Sequence, residues 1–125
     1  MNDISYQNIF SIIEKILPEN WNKIVLYVQY DKISYSIACY VDNGNGKYID
    51  YFDMPEVSND LINNVCSEID REIYPERRKL SKEQKWYVMT MKVSSDGKFS
   101  VEYDYNDVSG NIIEHFIEWK KKYLE

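Results

Sequence analysis

The sequence predicts an α+β domain built on one antiparallel sheet of about five strands, with the helices packed on one face of the sheet. Three segments repeat apolar residues at helical spacing, and five segments alternate apolar and polar residues with a period of two. Where strands follow one another directly, the links are too short for helical crossovers, so these strands must pair antiparallel. The predicted order is α-β-β-β-α-β-β-α. A length of 125 residues suits a single domain spanning residues 1–125.

The first helix is predicted over about residues 3–17, with Asn2 or Asp3 as its cap and Pro18 beyond its end. Its apolar stripe follows the spacing i, i+3, i+4, i+7 and consists of Ile9, Ile12, Ile13 and Ile16. The stripe predicts that this helix packs against a core.

Two alternating segments follow, at residues 21–30 and 33–41, and only Asp31-Lys32 lies between them. A polar break of two residues between such segments is typical of a β-hairpin. The glycine-rich sequence at residues 43–46 then predicts a turn into a third strand at residues 47–53.

A second helix is predicted from Ser58, which can cap it, and Pro75 is expected to end or kink it near Tyr74. Residues 76–83 form a charged connector. The second half of the chain adds strands at residues 85–93 and 99–105, and a last helix from about Asn111.

The composition argues against several function classes. The net charge of −6 disfavours nucleic-acid binding, which depends on Lys and Arg. The absence of a long apolar run and of an export signal predicts a cytoplasmic protein without membrane contact. Cys39 and Cys66 are expected to remain reduced thiols, and Trp21, Trp86 and Trp119 to be buried.

Residues that could carry catalysis are sparse. His115 is the only histidine, and no local motif pairs it with a nucleophile. The acids near Asp50 and Asp104 match neither the calcium-loop nor the HExxH spacing, and residues 43–46 lack the ending of a phosphate-binding loop. We therefore predict no catalytic residues, no metal ligands and no cofactor.

Charge and aromatic residues point instead to a protein partner. Residues 40–70 and 99–118 are acidic, while residues 71–98 between them carry a net positive charge. Concentrated negative charge speeds association with a basic partner. The twelve tyrosines, four phenylalanines and three tryptophans exceed what a core of this size requires, and tyrosine and tryptophan are enriched at interfaces.

The chain also resembles a known family over essentially its whole length. The shared features, in order, are Ile16-Leu17-Pro18-Glu19-Asn20-Trp21-Asn22-Lys23-Ile24, the strand pair with Tyr27 and Tyr35, Lys85-Trp86-Tyr87-Val88-Met89-Thr90-Met91, Gly97-Lys98-Phe99, Tyr103-Asp104-Tyr105-Asn106-Asp107, and Trp119-Lys120-Lys121-Lys122-Tyr123-Leu124. This ordered set resembles the YezG-like antitoxin family, whose members are bacterial immunity proteins. The resemblance implies a non-enzymatic cytoplasmic protein that binds the C-terminal nuclease domain of a polymorphic toxin exported by type VII secretion.

The family supplies no catalytic signature and no interface residues, so the partner-binding residues are predicted from charge and aromatic character. They are Asp50, Tyr51, Asp53, Glu56, Glu102, Asp104, Tyr105 and Asp107. Two other functions stay open at this point: a small carboxylate-based enzyme that binds a metal or ligand, and a toxin-secretion adaptor or chaperone. The expected oligomeric state is a monomer or a weak homodimer.

Overall fold

The computed structural model describes residues 2–32 and 34–125, so the predicted start of the second strand at Ile33 lies outside the described residues. The elements are α1 (Asp3–Ile13), β1 (Lys23–Tyr30), β2 (Tyr35–Asp42), β3 (Tyr48–Asp50), α2 (Asn59–Arg78), β4 (Val88–Ser94), β5 (Phe99–Asp104) and α3 (Ile112–Leu124). Single 3₁₀ turns follow α1 and β3. Asn2 caps α1 by accepting a hydrogen bond from the Ser5 amide.

The strands form one antiparallel sheet in the order β3-β2-β1-β4-β5. The predicted fold class and element order are therefore confirmed. Strand β1 lies at the centre, where Leu26 is paired with Cys39 on one side and with Met91 on the other. Strands β3 and β5 are the two edges of the sheet.

Helices α1 and α2 cover one face of the sheet. The apolar residues that β1 points to this face are Ile24, Leu26, Val28 and Tyr30. They pack against the stripe of α1 and against the stripe of α2, which consists of Ile62, Val65, Ile69 and Ile73. This is the larger of the two cores.

Helix α3 lies against the opposite face, so the prediction that all helices share one face is wrong. The residues that β1 points to this opposite face are apolar too, so Val25 and Tyr27 require a second layer that shields them from water. Trp119 of α3 provides this layer. Its ring lies 4.8 Å from that of Tyr27, and its indole N–H donates to Thr90 Oγ1 at 2.8 Å. Trp86 and Trp119 are buried as predicted, whereas Trp21 is only half-buried.

Helix α2 does not end near Tyr74, because it passes through Pro75 and continues to Arg78. A proline removes the hydrogen bond to the carbonyl four residues earlier, here that of Arg71. Both Pro75 and Arg71 are exposed, so water can satisfy that carbonyl. The buried stripe meanwhile continues past the proline from Ile73 to Arg77, and this packing holds the last turn in place.

Strand β3 is shorter than the predicted residues 47–53, because the chain turns inward after Asp50. Tyr51 is only 1% exposed, and its hydroxyl donates to the Ile37 carbonyl at 2.5 Å and lies 3.0 Å from Cys66 Sγ. The predicted partner-binding residue Tyr51 therefore does not lie at the surface, because its ring belongs to the core beneath α2.

The two tyrosines that were predicted to contact a partner should differ sharply in their effect on stability. Tyr51→Ala is expected to lower the free energy of unfolding by about 3–5 kcal/mol, because it empties a buried aromatic site. Tyr105→Ala is the matched control: its ring is 55% exposed, and the change should stay within about 0.5 kcal/mol. Urea denaturation measures both values. Equal losses in the two variants would contradict the placement of Tyr51.

The two cysteines are free thiols in different surroundings. Burial raises the pKa of the Cys39 thiol to about 12, so it should stay protonated and unreactive in the folded protein at pH 8. In Cys66→Ser, the remaining Cys39 should react with a disulfide reagent only as fast as the protein unfolds. In Cys39→Ala, the half-buried Cys66 should react faster and without unfolding.

The raised pKa also sets the sign of a pH dependence. The thiol of the unfolded chain ionises near pH 8.5. Below that pH, Cys39 therefore makes its full contribution to the free energy of unfolding. This contribution is lost as the pH rises from about 8.5 toward 12. Rapid native-state labelling of Cys39 at pH 8 would contradict its burial.

Candidate functional site

Apart from the buried Tyr51, the predicted partner-binding residues fall into two groups at opposite edges of the sheet. The β3-edge group consists of Asp50, Asp53 and Glu56, and the β5-edge group consists of Glu102, Asp104, Tyr105 and Asp107. Four inter-strand spacings of about 4.8 Å separate the two edges, roughly 19 Å in all. The fold therefore does not bring the two groups together.

In the β3-edge group, Asp50 has a local structural role. Its Oδ1 accepts from the Phe52 amide at 2.9 Å and so caps the 3₁₀ turn after β3. Asp53 and Glu56 are exposed on and after this turn. Because Tyr51 turns inward, the exposed aromatic ring here is Phe52, which is 48% exposed and was missed in the sequence.

The β5-edge group begins on the strand and continues into the loop that follows. Glu102 is exposed and is partly neutralised, because it accepts from the Tyr123 hydroxyl and lies 3.9 Å from Lys122 Nζ. Asp104 Oδ1 accepts from the Asn106 amide at 2.9 Å. Tyr105, which follows Asp104, is exposed rather than in the core.

Asp107 is held in place by Ser109. Its Oδ1 accepts from the Ser109 amide at 3.0 Å and from the Ser109 hydroxyl at 2.6 Å. These hydrogen bonds stabilise the charged form and hold the pKa of Asp107 below its ordinary value. Within residues 2–32 and 34–125, neither Asp104 nor Asp107 forms an ion pair. Both carboxylates are therefore positioned by their own loop and are available to an outside cation.

An open groove of about 630 Å³ runs between β5 and α3 beside these acids. Helix α3 contributes His115 and Glu118 to its lining, and Trp119 and Tyr123 also border it. His115 Nε2 is buried without a hydrogen-bond partner in the described part of the chain. The position of α3 on this face of the sheet creates the groove, so the sequence prediction missed it.

Two further properties of the described residues bear on the function. No group of three or more His, Cys, Asp or Glu side chains among them is arranged to hold a metal ion. No helix that they form is long and apolar enough to cross a bilayer.

Comparisons with known proteins agree along the whole chain. A family model described as YezG-like, immunity protein YezG-like, matches residues 1–125. The chain is 27% identical over 114 residues to a protein named Immunity protein YezG from Bacillus spizizenii, covering 86% of this chain and 70% of that protein. It is also 27% identical over 134 residues to a protein of the same name from Bacillus subtilis, covering 99% of this chain and 87% of that one.

These matches support an immunity, or antitoxin, role with a toxin protein as the partner. The acidic loop at residues 104–109, with its oriented carboxylates, is compatible with such a role. The chain belongs to the YezG-like family of immunity proteins.

Proposed function

We propose that this immunity protein is a non-enzymatic inhibitor that acts in the cytoplasm. It binds the C-terminal nuclease domain of a toxin exported by type VII secretion, and it does so before export or in related cells that the toxin enters. The β5-edge group forms the centre of the contact surface, and the residues of α3 that border the groove extend it.

The chemistry of a nuclease supports an acidic inhibitor surface. A nuclease cleft concentrates positive potential, because it must attract and hold phosphates. Carboxylates on an inhibitor can occupy the same potential and so compete with nucleic acid. The chain has a net charge of −6, which favours association with such a cleft over long distances.

The observation that carries the proposal is the state of Asp104 and Asp107. Both carboxylates are fixed by amide hydrogen bonds of the same loop, and the pKa of Asp107 is lowered by Ser109. A charge that is already oriented loses little freedom when it meets a cation. Tyr105 lies between them in sequence and offers an exposed ring, a residue type that is frequent among binding hot spots.

The β3-edge group supports the proposal less well. Asp50 is engaged in capping its own turn, and the buried Tyr51 cannot contact a partner without disrupting the core. Asp53 and Glu56 remain exposed there and provide the matched control for the experiments below.

Inhibition should be direct and stoichiometric. We expect the purified protein to abolish nucleic-acid cleavage by the cognate toxin domain at a molar ratio near one to one. The purified protein alone should not cleave the same substrate. Gel assays of cleavage against inhibitor concentration measure both properties. A toxin domain that is bound but still fully active would indicate an adaptor or chaperone, and would overturn the proposal.

The acids of the β5-edge group should act mainly on the association rate. Asp104→Asn with Asp107→Asn keeps the loop hydrogen bonds, since an amide oxygen accepts as a carboxylate does, but removes two charges. Association with the toxin domain should slow by about three- to tenfold at low salt, and the difference should shrink as the Debye length falls toward 3 Å at about 1 M salt. Surface plasmon resonance at several salt concentrations measures the rates.

The control removes the same charge from the other edge of the sheet. Asp53→Asn with Glu56→Gln should change the association rate by less than about twofold. If the association rate depended on Asp53 and Glu56 but not on Asp104 and Asp107, the interface would lie at the β3 edge. That result would contradict the proposal.

A further inference from the structure

A second pocket at the end of the sheet has a different character from the acidic surface. It has a volume of about 480 Å³ and is bordered by the end of β1, the start of β2, the last turns of α2 and the segment before β4. Its cations are Lys32 and three residues of the basic segment, Arg77, Arg78 and Lys85. We call it the Arg77 pocket.

Arg77 is the buried cation of this pocket, with 9% of the residue exposed. Its Nε donates to the Trp86 carbonyl at 2.8 Å. The guanidinium carbon lies 4.9 Å from the ring centre of Tyr30, 5.4 Å from that of Trp86 and 5.7 Å from that of Tyr87. Three aromatic rings and one carbonyl therefore fix the plane of the guanidinium and partly offset its loss of water.

No carboxylate neutralises this buried charge within the described parts of the chain. The ion pairs there join Lys15 to Glu68, Lys98 to Asp96 and Lys122 to Glu102. An arginine has five N–H donors, and Nε accounts for only one of them. The guanidinium thus retains N–H donors that an anion entering the pocket can use.

The two acids that border the pocket are engaged elsewhere. Asp70 Oδ1 accepts from the Tyr30 hydroxyl at 2.6 Å, and Asp31 Oδ1 accepts from the Ser34 amide at 2.7 Å. Burial lowers the pKa of Arg77, and the nearby phenols oppose this shift. A buried and oriented guanidinium of this kind is suited to a planar anion that can accept two parallel hydrogen bonds.

We propose that the Arg77 pocket binds one carboxylate, presented by an Asp or Glu side chain of the protein partner. The tyrosine rings suit a carboxylate that is attached to an apolar stem. Asp31 and Asp70 at the rim, together with the net charge of −6, disfavour a nucleic acid with its many phosphates. The inference rests on the proposed function in one respect only, that the partner is a protein.

The pocket lies near the acidic loop. Tyr87, which borders the pocket, donates its backbone N–H to the Asp104 carbonyl at 2.8 Å. A partner that covers both sites must therefore present a basic patch to the loop and an acid to Arg77. The need for both charges would give specificity for the correct partner. A partner whose cleft is only basic would cover Arg77 without supplying a carboxylate to pair with its charge.

The test needs no toxin, so its failure can be told apart from failure of the proposed function. The probe is the capped tripeptide acetyl-Gly-Glu-Gly-amide, and acetyl-Gly-Gln-Gly-amide is its neutral control. We expect the Glu peptide to shift the Arg77 Nε–H and Trp86 indole signals saturably in NMR titrations, in the millimolar range. The Gln peptide should bind at least about tenfold more weakly, because hydrogen bonds to a charged group are the stronger ones.

Variants locate the binding. Arg77→Lys keeps the charge and the aliphatic stem, which protects folding, but it loses the planar fork and should weaken binding of the Glu peptide by about tenfold. Arg71→Gln removes an exposed arginine from the same helix and should leave binding unchanged. Equal binding of the two peptides, unchanged binding by Arg77→Lys, or a preference for inorganic phosphate over the Glu peptide would overturn the proposal.

Discussion

Strand β1 pairs on both sides and packs on both faces, so that seven of its eight residues are buried. One face carries Ile24, Leu26 and Val28 to the helices α1 and α2, and the other carries Val25 and Tyr27 to α3. Gln29 is the polar member of the second set, and it accepts from the Tyr27 hydroxyl at 2.6 Å. Both faces of the strand must be covered, and this requirement determines where every helix lies.

The positions of the helices on the two faces determine the surfaces of the protein. Trp119 brings α3 against β1 and β4, and the helix then forms one wall of the groove along β5. The acidic loop follows β5 at this edge of the sheet and borders the groove. On the opposite face, the stripe of α2 continues past Pro75 and places Arg77 among the aromatic rings of β1 and the segment before β4. The acidic surface and the Arg77 pocket are thus consequences of packing on the two faces.

Local patterns predicted most of this fold from the sequence. The strand alternation predicted the central hairpin, although β2 begins at Tyr35 and the link is longer than the predicted two residues. The isoleucine spacing predicted α1. The side of the sheet taken by α3 was not predicted, although Val25 and Tyr27 already indicated a second apolar face. The choice depends on how three helices share the area of one sheet, which is a tertiary property.

The surface positions of the candidate site residues were predicted in part. Asp107 is exposed, and Asp104, the last residue of β5, is half-buried. Tyr51 is in the core because β3 ends three residues earlier than its alternation indicated. Strand ends depend on turn geometry, and a single residue decides whether a side chain points outward or inward. The Arg77 pocket was not predicted, because Arg77 lies in a charged segment that was interpreted as a connector. Arg77 is buried only because α2 continues through Pro75.

Hydrogen exchange on the complex with the toxin's nuclease domain tests the central claim, that the acidic loop after β5 is the binding surface. The amides of residues 99–109 should be protected in the complex relative to the free protein, as should those of α3 that face the groove. The amides of residues 48–57 at the opposite edge should exchange at unchanged rates. Protection of residues 48–57, with residues 99–109 unaffected, would contradict the account.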